Sequence, residues 1–185
     1  MSILKVDTIN EKTSGNGVQI AGHVVQVKQV TGSSFVTNNS ASAYTDLMTL
    51  NITPSSNNNK IMCHIVVAYG GSDNSYAAGR LLRTVGGTAT ALRVGNSYST
   101  ENRFTDASFG LQMNAAANDT YKIKNTAFNY LDSPSTTSQI TYTVSAKADA
   151  GYGSRTFFFN RSESNPGDGY NSPPWSTMTL MEIAQ

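Results

Sequence analysis

Apolar and polar residues alternate with a period of two along most of this chain, and no window carries a convincing helical period. The clearest run covers 140–147. Ile140, Tyr142, Val144 and Ala146 share one face there, and Thr141, Thr143, Ser145 and Lys147 share the other, the signature of a half-buried strand. Further strands are expected at 23–31, 46–53, 60–69, 79–84, 90–94, 107–114, 121–131, 155–160 and 176–184. Between them lie clusters of turn chemistry such as Pro54-Ser55-Ser56-Asn57-Asn58-Asn59, Gly70-Gly71-Ser72-Asp73-Asn74 and Asp132-Ser133-Pro134-Ser135. About ten short strands in one domain predict an all-β fold, an antiparallel β-sandwich, most economically a jelly roll.

Several of these strands are apolar on both faces. Ile61, Cys63, Ile65 and Val67 alternate with Met62, Val66 and Ala68, and Phe157-Phe158-Phe159 does the same. The last strand repeats the pattern with Met178, Leu180, Met181 and Ile183. One face fills the sandwich and the other needs a second cover, which another copy of the chain supplies most simply. The expected assembly is a homotrimer whose interface draws on Met62, His64, Val66, Phe158 and Met178. Ahead of the sandwich, residues 1–22 alternate in the same way, with Gly15-Asn16-Gly17 as a turn, and are too short to bury their own apolar side chains. They are read as an attachment segment, with Ile3, Leu4, Val6, Ile9, Val18 and Ile20 as the docking residues and 23–185 as the head domain.

The 185-residue length suffices for one core without staples. Only 14% of residues are charged and the formal net charge is +1, so there is no basic field for nucleic acid. The single Cys63 has no partner for an internal disulfide and reads as a small buried hydrophobe. Lys5, Asp7, Glu11 and Lys12 break up the start of the chain, so no signal peptide is expected. No apolar run is long enough to insert in a membrane, which suits folding in a reducing cytoplasm.

Candidate chemistry is sparse. His23 and His64 stand in no metal-binding spacing, and no cofactor or metal is expected. Nucleophile-elbow, phosphate-loop and dinucleotide fingerprints are missing, and no pair of acids is singled out for glycan cleavage, so the chain is not read as an enzyme. Asn-x-Ser/Thr triplets at Asn38, Asn51, Asn118 and Asn160 carry little weight in so Asn/Ser/Thr-rich a sequence. Binding is left. The longest polar excursions, 70–78, 95–103 and 162–175, hold or adjoin Tyr76, Tyr98, Tyr170 and Trp175, flat apolar faces beside adaptable hydrogen-bonding groups that suit a sugar or a polar surface.

The stretches Leu4-Lys5-Val6-Asp7-Thr8-Ile9 and Gly15-Asn16-Gly17-Val18-Gln19-Ile20 resemble the N-terminal segment of fibre-type virion proteins of tailed bacteriophages, particularly those of marine bacteria such as cyanobacteria. Residues 52–61, Phe128-Asn129-Tyr130-Leu131-Asp132-Ser133-Pro134 and Thr177-Met178-Thr179-Leu180-Met181-Glu182-Ile183 are similar to the globular domain of such proteins. The resemblance covers essentially the whole chain. It implies a structural virion component, commonly trimeric, whose jelly-roll head is loosely like those of the tumour necrosis factor and C1q group. It also implies two further partners, another virion protein of tail or capsid and a host-surface glycan or protein. Almost no shaft follows Gly22, which suits a small tail-fibre tip or a capsid-bound head fibre. The rival functions are a decoration protein without a receptor and, more remotely, a glycan-cleaving enzyme.

Overall fold

The computed structural model describes residues 20–40, 43–71, 75–95, 106–113, 121–148, 156–164 and 173–185. Among them the chain forms strands only: β1 (Val24–Gly32), β2 (Val36–Asn38), β3 (Thr45–Ile52), β4 (Lys60–Gly71), β5 (Ser75–Val85), β6 (Thr88–Leu92), β7 (Phe109–Met113), β8 (Lys124–Asp132), β9 (Ile140–Ala148), β10 (Phe157–Phe159) and β11 (Ser176–Ile183). All pairings are antiparallel, and they divide the strands into two sheets.

The pairing is nested, first with last and inward from there. β1 and β2 pair β11 and β10, β3 pairs β9, β4 pairs β8, and β5 pairs β6 and β7. This winding is a jelly roll, as the alternation predicts. The β4 sheet places β1, β11, β4 and β8 side by side, and the β5 sheet places β3, β9, β5 and β6. β10 continues the line of β11 along the same edge of β4, and β7 continues that of β6 along β5.

Between the sheets lies one core. β4 contributes Ile61, Cys63, Ile65 and Val67, β9 contributes Ile140, Tyr142, Val144 and Ala146, and Phe157, Phe159, Leu81, Met48 and Ile52 complete it. Met178 belongs here too. It is fully buried opposite Ile65, so its expected place at an intersubunit surface is corrected: it faces inward with Leu180, and the outward methionine of β11 is Met181.

Two other expectations change. Gly70 and Gly71 were expected to turn, yet β4 runs through both. A Cβ on Gly70 would come within 2.7 Å of the Arg161 carbonyl oxygen and 2.8 Å of the Ser162 Cα, so this glycine admits a crossing backbone. β2 has no counterpart in the expected strands, because three residues are too few to show a period.

Each sheet has a column that breaks at mid-height, and a buried serine bridges each break. In the β5 sheet the Ser108 hydroxyl accepts from the Leu81 amide and donates to the Leu92 carbonyl. In the β4 sheet the Ser176 hydroxyl accepts from the Ala68 amide and donates to Asn160 Oδ1. Asn160, at φ 61°, also takes the Ser176 amide and donates to the Ser34 carbonyl. Orphan amides of the central strands are thereby satisfied where strand pairing stops.

Candidate functional surface

Cross-strand register resolves the outward face of the β4 sheet into rows. Val27, Met181, Met62 and Leu131 form an apolar row; Gln29, Thr179, His64 and Asn129 form a polar one; Thr31, Thr177, Val66 and Ala127 form the next. Val27 is 56% and Leu131 44% exposed, while Met62, Met181 and Val66 are half-buried. In the polar row Gln29 Nε2 donates to Thr179 Oγ1, and His64 Nδ1 lies 2.5 Å from Asn129 Oδ1. None of these rows contains an Asp, Glu, Lys or Arg.

Of the expected interface residues, Met62, His64 and Val66 therefore share this face. Phe158 lies on it farther along, in the row of Gly70, but the Arg161 guanidinium sits 4.7 Å from its ring centroid and covers part of it. Met178 lies beneath, in the core. The expected recognition aromatics are not brought together. Tyr76 stands exposed on β5, in the opposite sheet from Trp175, which precedes β11 and is 66% exposed. Tyr98 and Tyr170 lie outside the described residues. So do Ile3, Leu4, Val6, Ile9 and Val18 of the docking segment; Ile20 is described and exposed.

The chain joins the sandwich at a polar collar. The Gly22 amide donates to the Ala184 carbonyl and the Ala184 amide to the His23 carbonyl, so residues 22–23 pair with the C-terminal strand. Beside them the fully buried Glu182 accepts from Gln26 Nε2 at 2.5 Å, the Ser55 amide at 2.7 Å, the Ser55 hydroxyl at 2.8 Å and Asn59 Nδ2 at 2.7 Å. Burial raises its pKa, but the donors Asn59, Gln26 and Ser55 outweigh burial and hold the carboxyl below its ordinary value.

Register places Glu182, Ile61 and Asp132 in one inward row. Asp132, on the β4 sheet, accepts from Arg83 at 2.8 Å and from the Tyr142 hydroxyl at 2.6 Å, both from the β5 sheet, and so clamps the layers together. Burial, then the bond to Asp132, raises the Tyr142 hydroxyl pKa. Burial and the nearby Asp132 likewise keep the Cys63 thiol protonated. These buried acids were missed in sequence because Asp132 adjoins turn residues and Glu182 sits in an apolar run. A lone acid inside such a run was the available signal.

Outside the core the Tyr44 hydroxyl donates to Asp106 at 2.8 Å. Arg80 lies 3.8 Å and Lys147 4.5 Å from the Tyr44 ring centroid, and Arg80 pairs with Asp106 at 3.2 Å. An open groove of about 480 Å³ is lined by Arg93, Val94, Gly95, Ala107, Ser108, Phe109 and Gly110. Among the described residues no group of three His, Cys, Asp or Glu side chains is placed to hold a metal ion, and no helix is long and apolar enough to cross a membrane. The triplet residues Asn38 and Asn160 spend their amide nitrogens on backbone carbonyls, Ala146 and Ser34 respectively among them.

No described protein family matches this chain, and no curated protein does. Among solved structures, that of infectious bursal disease virus, Gt strain, is similar at a TM-score of 0.44 and 10% identity over 98% of this chain and 43% of that one. The Gx strain gives 0.44, 9%, 97% and 42%. The VP2 subviral particle of the same virus gives 0.40, 10%, 86% and 38%. The chain spans less than half the length of these viral chains, and the likeness places it in no family.

Proposed function

We propose that this chain is a structural, non-catalytic virion component of the fibre type: a homotrimeric head docked to the particle by residues 1–22, with its far loops turned to the host surface. The carrying observation is the apolar row on the outward face of the β4 sheet, where exposed Val27 and Leu131 flank half-buried Met181 and Met62 beside a polar row. Monomeric proteins rarely leave a contiguous apolar row uncovered, and a symmetric copy covers it without a new partner. A C3 arrangement covers it while leaving both ends of the sandwich free.

The polarity of the sandwich supports the docking part. Residues 20–23 leave at the end that holds the collar, whereas β4, β7 and β9 end, and β5, β8 and β10 begin, at the opposite end. Virion placement rests on the sequence resemblance, which fits a tail-fibre tip or a capsid-bound head fibre. The non-catalytic reading is supported by the two buried acids, each already bound by its own chain's donors.

Light scattering at micromolar concentration tests the assembly, with a trimer mass expected and a stable monomer overturning it. Deleting residues 1–21 should leave a folded trimer that no longer enters particles. An intact trimer that binds no host cells would instead favour the decoration protein, and degradation of host glycan by purified protein would revive the enzyme.

A further inference from the structure

Beside the collar the ladder between β1 and β11 is interrupted. Val24 pairs with Ile183 and Gln26 with Glu182, so two steps along β1 match one along β11 and Val25 is an extra residue. From Gln26 to Gly32 the pairing is continuous. On the other side of this bulge residues 20–24 are exposed, and they are tied only to Ile183 and Ala184 at the end of the C-terminal strand. The Gln26 side chain braces the bulge. Its Nε2 donates both to Glu182 Oε2, at 2.5 Å, and to the Thr53 carbonyl, at 2.8 Å.

From this geometry we infer that Glu182 is an acid-released latch on the N-terminal arm of the head: ionised, it holds residues 20–24 against the C-terminal strand, and protonated, it lets them swing at Val25 while the sandwich stays folded. The two carboxylate oxygens are not equivalent. Oε1 takes three donors, the Ser55 amide, the Ser55 hydroxyl and Asn59 Nδ2, whereas Oε2 takes only Gln26. A proton therefore goes to Oε2, where its O–H meets the Gln26 N–H, donor against donor. The Gln26 amide cannot turn its oxygen to accept that proton without setting it against the Thr53 carbonyl, which the same Nε2 now holds. The brace opens and the Ser55 and Asn59 side of the ring stays closed. Other ionisable groups on the surrounding elements lie apart from this bond. His23 and Lys28 are exposed, Lys60 holds the outward register position opposite Ile183, Asp46 stands at the far end of β3, Cys63 is buried with its thiol protonated, Asp132 is held by Arg83 and Tyr142, and residues 47–59 carry none. The arm's use rests on the docking reading above, since residues 1–19 continue from it; the latch itself does not.

Cys63 is the single cysteine and is fully buried, so a nitroxide on Ala21→Cys labels the arm alone. Its paramagnetic resonance spectrum and the far-ultraviolet circular dichroism are followed on the full chain as the pH is lowered from neutral. Below about pH 4.5 the ratio of mobile to immobile label should rise about tenfold or more, the size of one lost hydrogen bond to a charged group, with the β signal unchanged. Glu182→Gln should give the mobile spectrum at neutral pH and remove the acid step. Gln26→Leu, which leaves Glu182 its Ser55 and Asn59 donors, should do the same. A label as immobile in Gln26→Leu as in the parent, or freed only together with loss of the β signal, overturns the latch. An acid step that persists in Glu182→Gln belongs to another of the named groups and also overturns it. A working latch on a head that does not dock through residues 1–22 leaves the inference standing and overturns the docking reading instead.

Discussion

The outward faces of the two sheets have the same strand geometry and opposite finishes. On the β5 sheet the rows read Asn51, Thr141, Thr84 and Ala89, then Thr49, Thr143, Leu82 and Ala91. On this sheet Asp106 pairs with Arg80 and approaches Lys147, both cations lie over the Tyr44 ring, and Ser145 is fully buried as it accepts from Arg80. The β4 sheet presents methionine, valine and leucine with no such cover. One sheet is finished by its own small polar residues and an ion-pair cluster, and the other leaves an apolar row open. The difference locates the contact surface more sharply than total hydrophobicity does, because apolar area is common on protein surfaces and a continuous open row is not.

The largest effect should come from reversing inside and outside on one strand. Met178 and Met181 are three residues apart on β11 and face opposite ways. Met178→Asp puts a bare carboxylate in the core and should cost more than about 4 kcal/mol, enough to unfold the head. Met181→Asp should keep the melting transition of the isolated chain and abolish the trimer mass in light scattering. If both variants merely dissociate, or both unfold, the two-faced assignment of β11 is wrong.

Next is the clamp that makes the two faces one body. Arg83→Met removes the cation and leaves Asp132 buried with only Tyr142 as donor, a loss of about 3–5 kcal/mol for an uncompensated buried charge. Urea denaturation should show it. Trimer mass at low urea should persist, since Arg83 faces into the sandwich and not onto the contact rows. Replacing Asp132 and Arg83 together with apolar residues should recover much of the loss, which a role for Arg83 at the contact surface would not allow.

How far the sequence was legible follows from how much phase information each segment holds. β9 alternates strictly between apolar and polar residues, so its faces were readable, and Ile140, Tyr142, Val144 and Ala146 are all core. β11 carries apolar residues on both faces, and its one charged residue misleads. An acid normally marks the outward face, yet Glu182 is fully buried in a ring of donors that come from Gln26, Ser55 and Asn59, far away in sequence. Met178, expected at an intersubunit surface because apolar residues occur on both faces, lies on the same inward side of the strand as Glu182. Met62 and Val66 kept their correct phase because Cys63 and the isoleucines of β4 alternate around them. The tie between Ser34 and Ser176 was invisible for a different reason: only the Asn160 side chain, far from Ser34 in sequence, joins them.

Glu182 should give the next smaller effect and a pH signature. Its folded pKa lies below the ordinary 4.5, so its contribution is fully present above that value and is lost as pH falls through the folded pKa. The urea midpoint should therefore drop below about pH 4.5. Glu182→Gln keeps one carbonyl oxygen for Ser55 and Asn59 but turns an amide against Gln26, at a cost of about 1–3 kcal/mol at neutral pH. The variant should lose part of the acid dependence. Both faces depend on this collar only through folding, so a change in trimer mass without a change in the urea midpoint would contradict the picture.

The smallest effect should be on the finished face. Asp106→Asn loosens the cluster of Tyr44, Arg80 and Lys147 on the β5 sheet, where the carboxylate is 37% exposed. Solvent screens such a pair, and the loss should be only a few tenths of a kcal/mol, near the resolution of a denaturation curve. The informative readout is assembly. Trimer mass and the dissociation midpoint should match the wild type within error, because this cluster lies on the opposite sheet from the apolar row. A dissociation midpoint raised several-fold by Asp106→Asn would mean that copies meet through the β5 sheet, and would exchange the roles assigned to the two faces.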